Sequence, residues 1–198
     1  MSANATAADP REAAIATIRA EHATLRRIVK SLQRLMHDVV GRRNAPHFGL
    51  VAAILYYLDI FSASCHHPRE DEYLFRSLRQ RTTRADAVLD ELQAQHIRSA
   101  QLMAYAEQAF VHYQGGAPDG LKLFVDAVDA YAALLGDHIR QEENEALALA
   151  EQYLASADWS ALAAAFRAEQ FDKRSGQDLN VLRQRIIDLL PPELAQEQ

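Results

Sequence analysis

Two short stretches of this chain carry the same spacing of side chains that can bind a metal: HHPRE at 66–70 and HIRQE at 138–142. In each stretch, a histidine is followed four residues later by a glutamate. On an α-helix, positions i and i+4 lie on one face, one turn apart, so that both side chains can reach one ion. The two pairs are His66 with Glu70 and His138 with Glu142.

Two isolated histidines, His22 and His96, complete the pattern. The step from His22 to His66 is 44 residues, and the step from His96 to His138 is 42 residues. The chain therefore reads as two copies of one unit, in which a helix with a single histidine precedes a helix with His-xxx-Glu.

Composition limits the class of protein. The 198 residues are 49% apolar and 24% charged, with few glycines and prolines, which favours one soluble helical domain. The net charge of −6 argues against a nucleic-acid surface. A single cysteine suits a reducing compartment, and the first residues have neither a basic segment nor an apolar run. No uninterrupted apolar stretch reaches about 18 residues, so we expect no membrane span and a cytoplasmic location.

Apolar periodicity and turn residues divide the chain into four long helices and two short ones. Asp9 and Pro10 are a typical helix start, and Gly115–Gly120 is the clearest loop. Short connections favour an all-α, up-down-up-down four-helix bundle over 9–155, with accessory helices packed on the same domain over 156–198. The predicted helices cover about 10–40, 47–78, 84–113, from 121 onward, 158–172 and 178–190.

The positions of the four histidines along their helices test this arrangement. If the turns at 41–46 and 115–118 mark one end of the bundle, His22, His66, His96 and His138 each lie 18 or 19 residues from that end. At 1.5 Å per residue, all four stand about 28 Å along their helices. Antiparallel packing would therefore bring the four imidazoles to one level.

Four imidazoles and two carboxylates form a mixed nitrogen and oxygen set that suits iron, manganese or zinc. Six ligands exceed the needs of one tetrahedral zinc site. They suit two ions, each held by two histidines and bridged by Glu70 and Glu142. Without metal, so many buried polar groups would be costly.

These residues resemble the hemerythrin-like HHE cation-binding domain. The resemblance covers about 12–155 and includes Glu21-His22 with Leu25, the run 70–75 and the run 138–143. It implies a non-haem, carboxylate-bridged di-iron centre that meets a small oxidant, namely dioxygen, peroxide or nitric oxide. The implied ligands are His22, His66, Glu70, His96, His138 and Glu142.

One position departs from the oxygen-carrying members, which have two histidines four residues apart on the third helix. Here the neighbours of His96 at that spacing are Leu92 and Ala100, which cannot bind metal. The predicted set is four histidines and two glutamates, which puts simple oxygen carriage in doubt. The space beside Ser99 and Ala100 suggests an exchangeable coordination position.

Residues beside the predicted ligands are expected to lie at the surface or to support the ligands. His67 should point about 100° away from His66, beside the ligands or at the surface, and its exchange with His66 as a ligand is left open. Glu143 should belong to a solvated rim, and Asp59 or Tyr131 could support a ligand histidine.

Sensing, detoxification and iron handling all fit the predicted centre, and peroxide turnover by an enzyme is left open. The alternative is a regulatory or interaction bundle in which metal is structural or absent, with the helices after Trp159 as a partner surface.

Overall fold

Six helices account for most of the chain in the computed structural model, which describes residues 9–42, 46–167, 171–172 and 177–191. The predicted all-α bundle with two short C-terminal helices is confirmed. Of the expected turn at 41–46, residues 43–45 lie outside the described residues. The helices are α1 Pro10–Arg42, α2 Phe48–Arg81, α3 Asp86–Gln114, α4 over 120–153, α5 Ser156–Arg167 and α6 Leu179–Leu189.

Two smaller elements connect these helices. A 3-10 turn at Thr83–Ala85 leads from α2 into α3. A two-residue antiparallel pair, β1 Phe171–Asp172 with β2 Gln177–Asp178, precedes α6. Helix α1 contacts α2 and α4, and α3 contacts the same two helices, so the four long helices form a square bundle.

Capping hydrogen bonds and one glycine turn define where three of the helices begin. The N–H of Arg11 donates to Asp9 Oδ1 at 3.0 Å, which satisfies one of the free N–H groups of the first turn of α1. At α2, the ring Nδ1 of His47 accepts from the N–H of Leu50 at 2.9 Å. Gly116 has a φ of 78° in the turn before α4, a conformation that favours glycine.

Helices α2 and α4 are interrupted by π-helical segments at the level of the predicted ligands. In α2, α-helix Phe48–Phe61 passes into π-segment Ser62–His66, and a short α-turn then leads into π-segment Glu70–Phe75. In α4, α-helix Gly120–Gln141 passes into π-segment Glu142–Ala146. The helix is widened next to Pro68, where the N–H of His67 donates to the carbonyl of Ser62.

A polar layer divides the apolar interior into two clusters. The larger cluster includes Leu25–Val39 of α1 and Leu50–Phe61 of α2, and the smaller includes Ala14–Ile18 of α1 and Leu74–Leu78 of α2. The predicted ligands on both helices lie between these ranges. The arrangement recurs on α3 and α4, so the polar layer is enclosed above and below by packed apolar side chains.

Helix α5 packs against α1 and the second π-segment of α2. It buries Trp159, Leu162 and Phe166 in the smaller apolar cluster, which also contains residues from α1 to α4. At about 25 cal/mol per Å² of apolar surface, three such side chains stabilise the contact by several kcal/mol. The division at residue 155 remains a prediction.

Helix α2 is long and apolar enough to cross a membrane by length and composition alone. Half of its most apolar window is buried inside the bundle. Core helices of water-soluble bundles have the same composition, so this helix is weak evidence for a span.

The glycines of α4 provide a test of the packing at its start. A Cβ at Gly120 would lie 2.6 Å from Cα of Tyr113, which is backbone and cannot move aside, whereas one at Gly136 meets nothing within 4 Å. We expect Gly120→Ala to destabilise the fold by about 1–3 kcal/mol. Gly136→Ala should stabilise it by about 0.5–1 kcal/mol. Urea unfolding followed by circular dichroism measures both, and equal effects would contradict the close approach.

Candidate metal centre

The six predicted ligands meet inside the polar layer, one or two from each helix of the bundle. The rings of His22 and His66 lie 4.9 Å apart between centroids, and those of His96 and His138 lie 4.8 Å apart. All six side chains are buried, and the two carboxylates are fully inaccessible. The structure thus brings together every residue that the spacing argument selected.

The carboxylate of Glu70 faces both histidine pairs. Its Oε1 lies 2.8 Å from His66 Nε2 and 3.5 Å from His22 Nε2. Its other oxygen, Oε2, lies 3.4 Å from His96 Nε2. This carboxylate therefore points one oxygen at each of the two nitrogen groups.

Glu142 closes the layer from α4. Its Oε2 lies 3.3 Å from His22 Nε2 and 3.8 Å from His138 Nε2, so this carboxylate also reaches both sides.

The predicted surface position of the neighbouring residue Glu143 was wrong. Glu143 is not part of a solvated rim, because its Oε1 contacts His22 Nδ1 at 2.9 Å and it is only partly exposed.

Each of the four predicted histidine ligands is held through Nδ1 by a side-chain oxygen. His22 contacts Glu143, His66 contacts Glu21 Oε2 at 2.7 Å, and His96 contacts Asp71 Oδ2 at 3.4 Å. His138 contacts Gln95 Oε1 at 3.0 Å, and the amide of Gln95 in turn donates to Gln141. Because these oxygens only accept, each Nδ1 carries the proton and donates it.

The opposite nitrogens have no such partner. Among the described residues, the buried atoms without a hydrogen bond include Nε2 of all four histidines and both carboxylate oxygens of Glu70 and Glu142. With Nδ1 protonated in the neutral ring, each Nε2 presents a lone pair to the centre of the layer. Buried polar atoms are rarely left unpaired, so eight in one place form a donor set that fits a bound cation.

The pKa values of the titratable groups in the layer reflect their burial and their charged neighbours. Burial acts to lower the pKa of His96, but its contacts with Asp71 and Glu70 outweigh burial and raise that pKa to about 9. The pKa of Glu142 is raised by burial and by the negative charge of Glu70. Burial lowers the pKa of His138 to about 3. The carboxylates therefore favour positive charge beside them, while His138 is kept neutral and able to bind a metal ion.

The support of His66 extends to helix α5. Arg69 donates to both oxygens of Glu21, at 3.0 and 3.1 Å, while Glu21 accepts from His66. The guanidinium of Arg69 also lies 4.5 Å from the ring centroid of Phe166 on α5. A cation over an aromatic face is attracted to it, so α5 helps to fix the carboxylate that orients His66.

These supporting residues were not predicted from the sequence. Asp59 and Tyr131 were the predicted supports, whereas the histidines contact Glu21, Asp71, Gln95 and Glu143. A signal was available, since Glu21 and Gln95 directly precede His22 and His96. Each supports a histidine on a different helix, however, and this crossed pairing depends on the packing.

His67 differs most from its predicted position. It is buried, with 7% of its surface exposed, and its ring stacks on His96 with centroids 3.9 Å apart. Two groups of side chains have the proximity needed to hold a metal ion: His22, His66 and Glu70, and His67, Glu70, His96 and His138. His37, His47 and His112 lie elsewhere and contact Asp129, the start of α2 and Asp119.

Removal of the charge that orients His66 provides a test. We expect Glu21→Gln to weaken the binding of Fe²⁺ by about 10- to 100-fold, as is typical when a residue that orients a metal-binding histidine is lost. Competition with a chromophoric chelator under anaerobic conditions measures the affinity. Glu145→Gln, at an exposed position on the same helix as Glu142, is the control. Equal affinities for the two variants would contradict the role of Glu21.

Comparison with known proteins agrees with the geometry. The family model for the hemerythrin HHE cation binding domain matches residues 13–150, well over half of the chain. A search of curated proteins gave no match. The matched range begins within α1, ends within α4 and contains all six predicted ligands and His67. Its buried histidines and glutamates converge on one layer of a helical bundle, in agreement with this match, and the chain belongs to the hemerythrin HHE cation-binding family.

Proposed function

We propose that this protein binds two iron ions in its polar layer and reacts there with a small oxidant, namely dioxygen, peroxide or nitric oxide. The observation that carries the proposal is the convergence of eight unpartnered buried atoms from the six predicted ligands. His22 and His66 would hold one ion and His96 and His138 the other. Glu70 and Glu142 would bridge them.

The donor set supports iron without excluding manganese or zinc. Imidazole and carboxylate ligands suit all three metals. When bound, a carboxylate-bridged pair of irons supplies electrons to a small oxidant. The chain contributes the rest: rigid imidazoles held through Nδ1, a carboxylate on each side, and apolar clusters that exclude bulk water from the layer.

The cellular role is a proposal of the same kind. A cytoplasmic location and a part in sensing, detoxification or iron handling fit a buried centre that only small molecules reach. Repeated consumption of peroxide, with oxygen evolved over many turnovers, would make the protein an enzyme rather than a binder.

Metal content and absorption spectra test the proposal directly. We expect protein purified without added metal to contain about two irons per chain, with near-ultraviolet bands that bleach on reduction and return on exposure to air. Zinc alone, or a well-folded protein without metal, would overturn the redox function and favour an interaction bundle.

The bridging carboxylates predict a specific loss. Glu70→Gln and Glu142→Gln remove the negative charge that holds the two ions together, so we expect each variant to retain less than one iron per chain. Metal analysis after gel filtration measures this, and Glu145→Gln should retain the full content. Full occupancy in both bridging variants would contradict the bridging assignment.

A further inference from the structure

His67 is a buried histidine that the proposed ligand set does not use. Its ring is parallel to that of His96, with an interplanar angle of 10°, and its centroid lies 5.7 Å from that of His138. His96 and His138 are the pair that is proposed to hold one of the two ions. His67 therefore stands on one side of the layer, opposite the pair His22 and His66.

The distances support a direct role. One ligand atom from each of His67, Glu70, His96 and His138 lies within 4.8 Å of all the others. The group on the other side contains His22, His66 and Glu70. Glu70 is shared, so the layer has two positions that differ by one imidazole.

The backbone of α2 explains how two adjacent histidines can both face inward. His66 ends the π-segment Ser62–His66, and His67 begins the short α-turn that leads to the π-segment starting at Glu70. A π-turn contains more residues than an α-turn, so consecutive side chains diverge by less than the 100° of an α-helix. His66 turns toward His22, while His67 turns toward His96.

Helix α3 leaves room for this ring. In place of a second histidine it has Ser99 and Ala100, and these small residues line a cavity of about 10 Å³ together with His67. That volume holds about one water molecule. The ring of His67 thus comes from α2 to the part of the layer where α3 offers no ligand.

We propose that His67 is a third imidazole ligand, through one ring nitrogen, of the ion held by His96 and His138. The centre then has five histidines and two glutamates, and its two ions are inequivalent. This inference rests on the proposed function, because it requires that both positions bind iron.

Two variants separate ligation from packing. His67→Gln removes the imidazole, whereas His67→Phe keeps an aromatic ring that can stack on His96 but has no nitrogen. We expect both variants to lose iron from one position at least about tenfold faster than the wild-type protein in a chelator chase. His112→Gln, at a partly exposed position on α3, is the control and should match the wild type.

Spectroscopy on the loaded protein identifies the position. Mössbauer spectra of the wild-type protein loaded with ⁵⁷Fe should contain two distinct signals, and X-ray absorption should count fewer imidazoles per iron in both variants. A third variant, His67→Ala, lacks the ring altogether. Added imidazole should restore its second Mössbauer signal, because free imidazole can replace the missing ring. Circular dichroism checks that each variant remains helical.

The outcomes are distinguishable. If wild-type protein binds no iron, the proposed function fails before the inference is reached. If it binds two irons and His67→Phe retains both with an unchanged imidazole count, His67 only packs against His96 and the inference is overturned. Loss of one signal in both His67 variants, with rescue by imidazole, supports ligation.

Discussion

The carboxylates of Glu70 and Glu142 impose the strongest constraint on this structure. Both are fully buried, and neither accepts a hydrogen bond from any residue that the structure describes. An uncompensated buried charge costs several kcal/mol, which is comparable to the whole stability of a domain of this size. The bundle therefore depends on positive charge at its centre, supplied by protons on histidines or by bound cations. Metal bound at these two residues would therefore couple binding to folding.

The apolar clusters and the supporting residues make that centre rigid. Packed side chains above and below the polar layer leave little freedom for the ligand helices to slide. Three of the four predicted histidine ligands are oriented by carboxylates, and the Glu21 carboxylate is itself held by Arg69 beside Phe166. Helix α5 is thereby connected to the polar layer through one chain of contacts, although it provides none of the predicted ligands.

The π-helical segments link the backbone to the chemistry. Glu70 and Glu142 each begin such a segment, and His66 ends one. A π-turn is rare and costs regular hydrogen bonding, so its occurrence at these residues reflects the demands of the site. The widened turns re-aim side chains that a regular helix would direct elsewhere, as the inward positions of both His66 and His67 illustrate.

The sequence by itself determined the helices, their order and the residues that meet in the polar layer. The reason is periodicity: His-xxx-Glu pairs share a helix face, and equal distances from the turns place His22, His66, His96 and His138 at one height. Only the tertiary structure decided the position of His67, the support of His22 by Glu143 and the crossed pairing of Glu21 with His66. These features depend on π-turns and on contacts between helices. Neither can be predicted from a regular α-helix with a rotation of 100° per residue.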